Sequence, residues 1–162
     1  MKRKTGLIIA QESQEITALV IRNHIRWLLI VNFLMITISI LTFSGSFHFW
    51  EDALSYLGAT VTPDGRKNRL SPYIFDTGLL ISSIIMFRMA VLWKNFPGQA
   101  GFVLKPVLMR IAGIGYFLMI TPCNLFNPSH MLGATLVFGS FWLFSVMLIC
   151  EYGKRLGSWK II

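Results

Sequence analysis

Residues 27–50 contain no aspartate, glutamate, lysine or arginine, and His48 is their only ionisable side chain. Crossing the hydrocarbon core of a bilayer takes about 20 apolar residues as a helix. The backbone polar groups find no water there, so only a helix or a closed barrel satisfies them. The run therefore predicts a first transmembrane helix over 27–49, with Trp27 and Trp50 at the two interfaces where amphipathic rings belong. Three further apolar runs follow at 72–93, 106–122 and 129–150. The expected architecture is all-α: a four-helix transmembrane bundle, up-down-up-down, in a single polytopic domain over 1–162.

Composition supports this class. Of 162 residues, 54% are hydrophobic and only 14% charged, where a soluble domain carries about 25% charged residues. The chain is too short for two globular domains. Its formal charge of +8 raises nucleic acid as a partner, but the basic residues flank apolar runs instead of forming one aromatic-studded patch. No nucleic-acid partner is expected. Membrane topology and lipid headgroups account for such placement. Cys123 and Cys150 fall near opposite ends of one hairpin of spans, too far apart for a disulfide, and their spacing is neither a metal nor a redox motif.

The chain opens with Lys2, Arg3 and Lys4, and the polar stretch from Gln11 to Glu15 interrupts any apolar core of a signal peptide. Residues 15–26 lead into the first span or lie along the membrane surface. Ser44-Gly45-Ser46 loosens the first helix before a polar loop. That loop begins with a short helical segment stopped at Gly58 and continues through a Pro63-Asp64-Gly65 turn. Pro72 is tolerated in the first turn of the second span. Phe96-Pro97-Gly98 and Pro122-Cys123-Asn124 mark the remaining connections. Basic residues gather in the N-terminal arm, at Lys94 and Lys105, and in the tail at Lys154, Arg155 and Lys160, while the turn around Asn124 has none. The positive-inside rule then predicts a multi-pass protein of the inner, or plasma, membrane with both termini cytoplasmic.

With that topology the unusual polar groups collect on the outer side. Asp52, Ser55, Asn68 and Asp76 come from the first outer loop and the start of the second span, and Asn124 and His130 from the second outer turn and the start of the fourth. A carboxylate within a span normally faces a partner or a wet cavity, and His130 is the natural partner for Asp76. Such a pair can tie helices together, hold a ligand or headgroup, or act as acid and base; the tie is the simplest role. His48, Asp52, Asp76 and His130 are acceptable zinc ligands by type but lack zinc spacing, so no metal is expected. No P-loop, dinucleotide fingerprint or haem-like histidine pair appears, and no cofactor is expected. Ser129 and Gly133 form a small-xxx-small pair suited to close helix approach, Gly113 and Gly115 offer the same closeness on the third span, and Asn32 offers a hydrogen bond inside the first.

The stretch Leu54-Ser55-Tyr56-Leu57-Gly58-Ala59, with Asn68 and then Phe75-Asp76-Thr77-Gly78-Leu79, resembles the first half of domain-of-unknown-function family 998. These are prokaryotic membrane proteins similar in pattern to the Frag/DRAM-type group. Gly113-Ile114-Gly115, then Leu125 to His130 and Ala134 to Phe138, resembles the second half. The likeness covers residues 27–150. Phe126-Asn127-Pro128 stands where the family has a plain Phe-Pro, and relatives commonly have more than four spans. The resemblance implies membrane location and a polar outer-face site, and no activity. Three readings follow: a protein whose outer-face pocket takes membrane lipid or a small ligand, a membrane-embedded enzyme on lipid or polyprenyl substrates, or an accessory or transporter subunit completed as a homo-oligomer.

Overall fold

A computed structural model describes residues 2–94 and 103–158. These residues form four α-helices, α1 (Lys2–Leu41), α2 (Leu70–Lys94), α3 (Leu104–Met119) and α4 (Asn127–Ser158), with one 3-10 turn, Leu54–Gly58. No strand occurs among them beyond an isolated bridge between Val61 and Lys67. The Phe96-Pro97-Gly98 turn expected between the second and third helices lies outside the described residues.

Successive helices run antiparallel, and the contacts fix their register. Asn32 meets Ser82, Met35 packs on Gly78, and the Ser39 hydroxyl faces the Ser71 carbonyl. The Ser83 hydroxyl donates to the Gly113 carbonyl at 2.8 Å. Lys105 reaches Glu151 at 2.9 Å. The backbones of α3 and α4 approach closely, and a Cβ on Gly115 would sit 2.7 Å from the Gly133 carbonyl oxygen. Only glycine permits that spacing. The core joins Leu28 and Met35 of α1, Leu79 and Met86 of α2, Met109 and Ala112 of α3, and Val137 of α4.

The helices form a curved row in which each packs on its neighbours in sequence, and α1 and α4 stand apart. Three stretches are long and apolar enough to cross a membrane: Gln14–Leu41, Leu70–Lys94 and Asn127–Gly153. This is the signature of a membrane protein. The expected third span differs. At 16 residues, α3 is about 24 Å long at 1.5 Å per residue, shorter than a hydrocarbon core of ~30 Å. It runs antiparallel between two long helices and is buried by both.

The first helix also departs from the expected 27–49. It ends at Leu41, where the Thr42 hydroxyl turns back to the Ile38 and Ser39 carbonyls and Ser44-Gly45-Ser46 cannot carry the helix onward. It gains length at the other end, because residues 2–26 continue into it without a break. Apolar composition alone could not separate Phe43, Phe47 and Phe49 from the helix, although these rings belong to a folded-back loop. The outer-loop helix is likewise shorter than its sequence pattern, a single 3-10 turn ending at Gly58.

Candidate functional site

The 3-10 turn Leu54–Gly58 is a lid over the end of the bundle where α2 begins; of the expected site residues, Asn68 and Asn124 hold it and the residues just after it, joined by Ser71 and Cys123. The Ser71 hydroxyl donates to the Leu57 carbonyl at 2.7 Å, and the buried Asn68 side chain donates to the Ala59 carbonyl at 3.0 Å. Asn124 clasps Thr60 from both ends of its amide, accepting from the Thr60 N–H at 3.0 Å and donating to its hydroxyl at 2.9 Å. The Cys123 thiol donates to the Ser55 carbonyl at 3.4 Å. Partial burial pushes that thiol above its ordinary range, against the smaller opposing effect of this bond. Gly58 sits where an added Cβ would come within 2.8 Å of the Phe75 ring. The lid therefore lies flush on α2.

His130 and Asp76 do not meet. His130 is 4% exposed, and its Nδ1 lies 3.0 Å from the Met119 carbonyl and 3.1 Å from the Thr121 carbonyl. Both partners only accept, so Nδ1 carries the proton and donates, capping the free carbonyls at the end of α3. Asp76 has no hydrogen bond or ion pair to another described residue, and its Oδ1 is sealed from the surface without a partner. An acid–base pair is absent, and with it the arrangement that an Asp76–His130 enzyme requires. Among the described residues no three histidine, cysteine or acidic side chains come together as a metal site would need.

The expected site divides among separate recesses around the lid. Ser55 and Asn124 line an outer cleft of about 550 Å³ with Tyr56, Thr62, Cys123 and Asn127. Asn68 and Asp76 line a second recess of about 640 Å³ with Lys67, Arg69, Tyr73 and Pro122. Ser55 and His130 close the top of a third. Asp52 stays apart, accepting the His48 N–H at 2.7 Å within its own turn.

The third recess is the space between α1 and α4. Its outer lobe, about 460 Å³, is walled by Met35 and Ile36 on one side and Ala134, Val137 and Phe138 on the other. Its inner lobe, about 510 Å³, continues past Leu29, Met109, Phe144 and Leu148. Asn32, Tyr116 and Phe141 belong to both lobes. At this waist Asn32 donates to the Ser82 hydroxyl at 3.1 Å and accepts from the Tyr116 hydroxyl at 3.4 Å. The result is a nearly apolar groove along the bundle with one polar crossbar.

Sequence reasoning missed two features. The groove depends on which helices fail to touch, and no local pattern carries that. Lys105, read as a loop charge, is 1% exposed, bonded to Glu151 and 4.8 Å from the centre of the Trp93 ring. A signal for it existed, because Glu151 is the only acidic residue after Asp76. Comparison with known proteins finds no matching family model, no matching curated protein and no matching solved structure.

Proposed function

We propose that this is an inner-membrane protein that crosses the bilayer four times and holds a membrane lipid, one hydrocarbon chain lying in the α1–α4 groove below the outer lid. The groove is the observation that carries this reading. Its lobes have the size of ligand pockets, roughly 300–1,000 Å³, and an almost wholly apolar lining. Both walls are membrane-length helices, so the medium beside the opening is acyl chain. The likeness of residues 54–83 to family 998 agrees with a membrane location and adds no activity.

Charge placement supports cytoplasmic termini. The helix register sets Arg26, Arg88 and Arg110 at one depth, all three exposed. Trp27 lies directly outward of this belt and is exposed. Arginines exposed at one depth can extend their guanidinium groups toward a membrane interface, and together with the basic arm and tail they favour this side as the cytoplasmic one.

Native mass spectrometry of the full chain, purified gently, tests the proposal. The expected result is a co-purifying lipid that Ala134→Trp releases and that Ile114→Trp, on the exposed face of α3, retains, with equal helicity in all three proteins. A lipid held equally by all three, or a dimer that Ala134→Trp dissociates, would overturn it.

A further inference from the structure

The recess that contains Asp76 lies across the lid from the groove, and its charges are complementary in an unusual way. Its lining includes one carboxylate, Asp76, and two cations, Lys67 and Arg69. None of the three has an ion-pair partner among the described residues, whereas the neighbouring Arg66 is held by Asp64 at 2.9 Å. Two other polar side chains of the lining are already engaged. The Asn68 amide serves Ala59 and accepts from Ser44, and the Thr60 hydroxyl accepts from Asn124. Asp76 thus lacks a donor in a half-buried position where a carboxylate ordinarily has several. Tyr73, 75% exposed, stands on the rim where the outer turn of α2 meets the bilayer surface.

We infer that this recess binds a zwitterionic phosphoamine, its phosphate on Lys67 and Arg69 and its primary ammonium on Asp76, as in an ethanolamine phospholipid headgroup. Two cations at an otherwise neutral wall suit a phosphate. The acid in the same recess disfavours a purely anionic headgroup and requires an N–H donor. A primary ammonium supplies three such donors, and a quaternary choline ammonium supplies none. The site is separate from the hydrocarbon groove, with the lid between them, and it does not depend on that groove being occupied.

The test adds short-chain phosphatidylethanolamine or phosphatidylcholine of equal chain length to the detergent-solubilised full chain and reads retention by native mass spectrometry. The ethanolamine lipid is expected to be retained about tenfold more strongly, the weight of one hydrogen bond to a charged group. Asp76→Asn should abolish that preference, and Lys67→Ala with Arg69→Ala should weaken both lipids. The Lys67 and Arg69 side chains lie on an exposed loop, so the paired variant probes the site even if Asp76→Asn lowers the yield of folded protein. Retention of glycerophosphoethanolamine without chains would identify a soluble phosphoamine as the source, and a requirement for the chains would identify a lipid. Ala134→Trp should leave the preference intact, which separates this site from the groove. Equal retention of the two lipids by the unaltered chain, a preference that survives Asp76→Asn, or unchanged retention in the paired lysine and arginine variant would overturn the inference.

Discussion

Lys105 donates to Glu151 Oε2 at 2.9 Å with its ammonium 4.8 Å from the centre of the Trp93 ring. One ion pair thus fastens α2, α3 and α4 together at the end of the bundle opposite the lid. A lysine 1% exposed is tolerated only because carboxylate and ring replace its water. Its charge is thus neutralised within the bundle instead of standing on the connection in which the sequence places it.

Breaking that pair leaves a buried charge alone. Glu151→Ala and Lys105→Ala should each destabilise the bundle by about 3–5 kcal/mol, whereas Lys105→Met with Glu151→Leu should restore most of the loss. Unfolding in detergent, followed by circular dichroism, gives the comparison. Additive losses in the double variant would show that the two side chains act independently.

The α3–α4 approach predicts a sharp steric difference between two glycines on one helix. Gly133→Leu has nowhere to go, since even a Cβ would lie 2.6 Å from the Gly115 carbonyl oxygen, whereas nothing lies within 4 Å of a Cβ at Gly139. Gly133→Leu should therefore cost at least about 1–3 kcal/mol, the usual range for overpacking. Gly139→Leu should leave the melting temperature within error of the unaltered chain.

The crossbar at the waist of the groove should contribute modestly. Asn32→Leu removes bonds to Ser82 and Tyr116, and interhelical hydrogen bonds inside membranes are worth about 0.6 kcal/mol on average and ~1.7 at most. A loss above that range on thermal unfolding would mean that Asn32 also sets the packing of α1.

Cys123 offers a reactivity test. Burial raises its thiol above the ordinary value, so the folded chain holds less thiolate at neutral pH than an unperturbed cysteine and should react slowly with iodoacetamide. The rate should climb with pH through a midpoint above the usual ~8.5. A midpoint at or below that value would contradict the burial of the thiol beneath the Ser55 carbonyl.

Much of the outer end was legible in sequence. Gly58 ends its turn as expected, Gly65 takes φ +83° beside Pro63 and Asp64, and Ser44-Gly45-Ser46 lies where the first helix has given way. The last two are local decisions made by a few neighbouring residues, whereas Gly58 is required by the Phe75 ring packed against it. The candidate site was legible in membership and not in arrangement. Asn68 and Asn124 are polar for backbone partners that the sequence could not name, and His130 caps α3 instead of meeting Asp76.

The amino-acid sequence alone determined that this chain is helical and that its long helices suit a bilayer, because apolar runs of about 20 residues match a membrane-spanning helix and are too long for the strands of a barrel. It also located the breaks between the helices, since serine, glycine and proline act within a turn of themselves, but not the ends themselves: α1 stops at Leu41, well before the end of its apolar run. Tertiary structure alone decided that α1 and α4 stand apart over a groove, that Lys105 finds Glu151 across 46 residues, and that Asp76 and His130 are separated. Each of these depends on which helix faces meet and in what register, a property of packing between distant segments that no single segment carries.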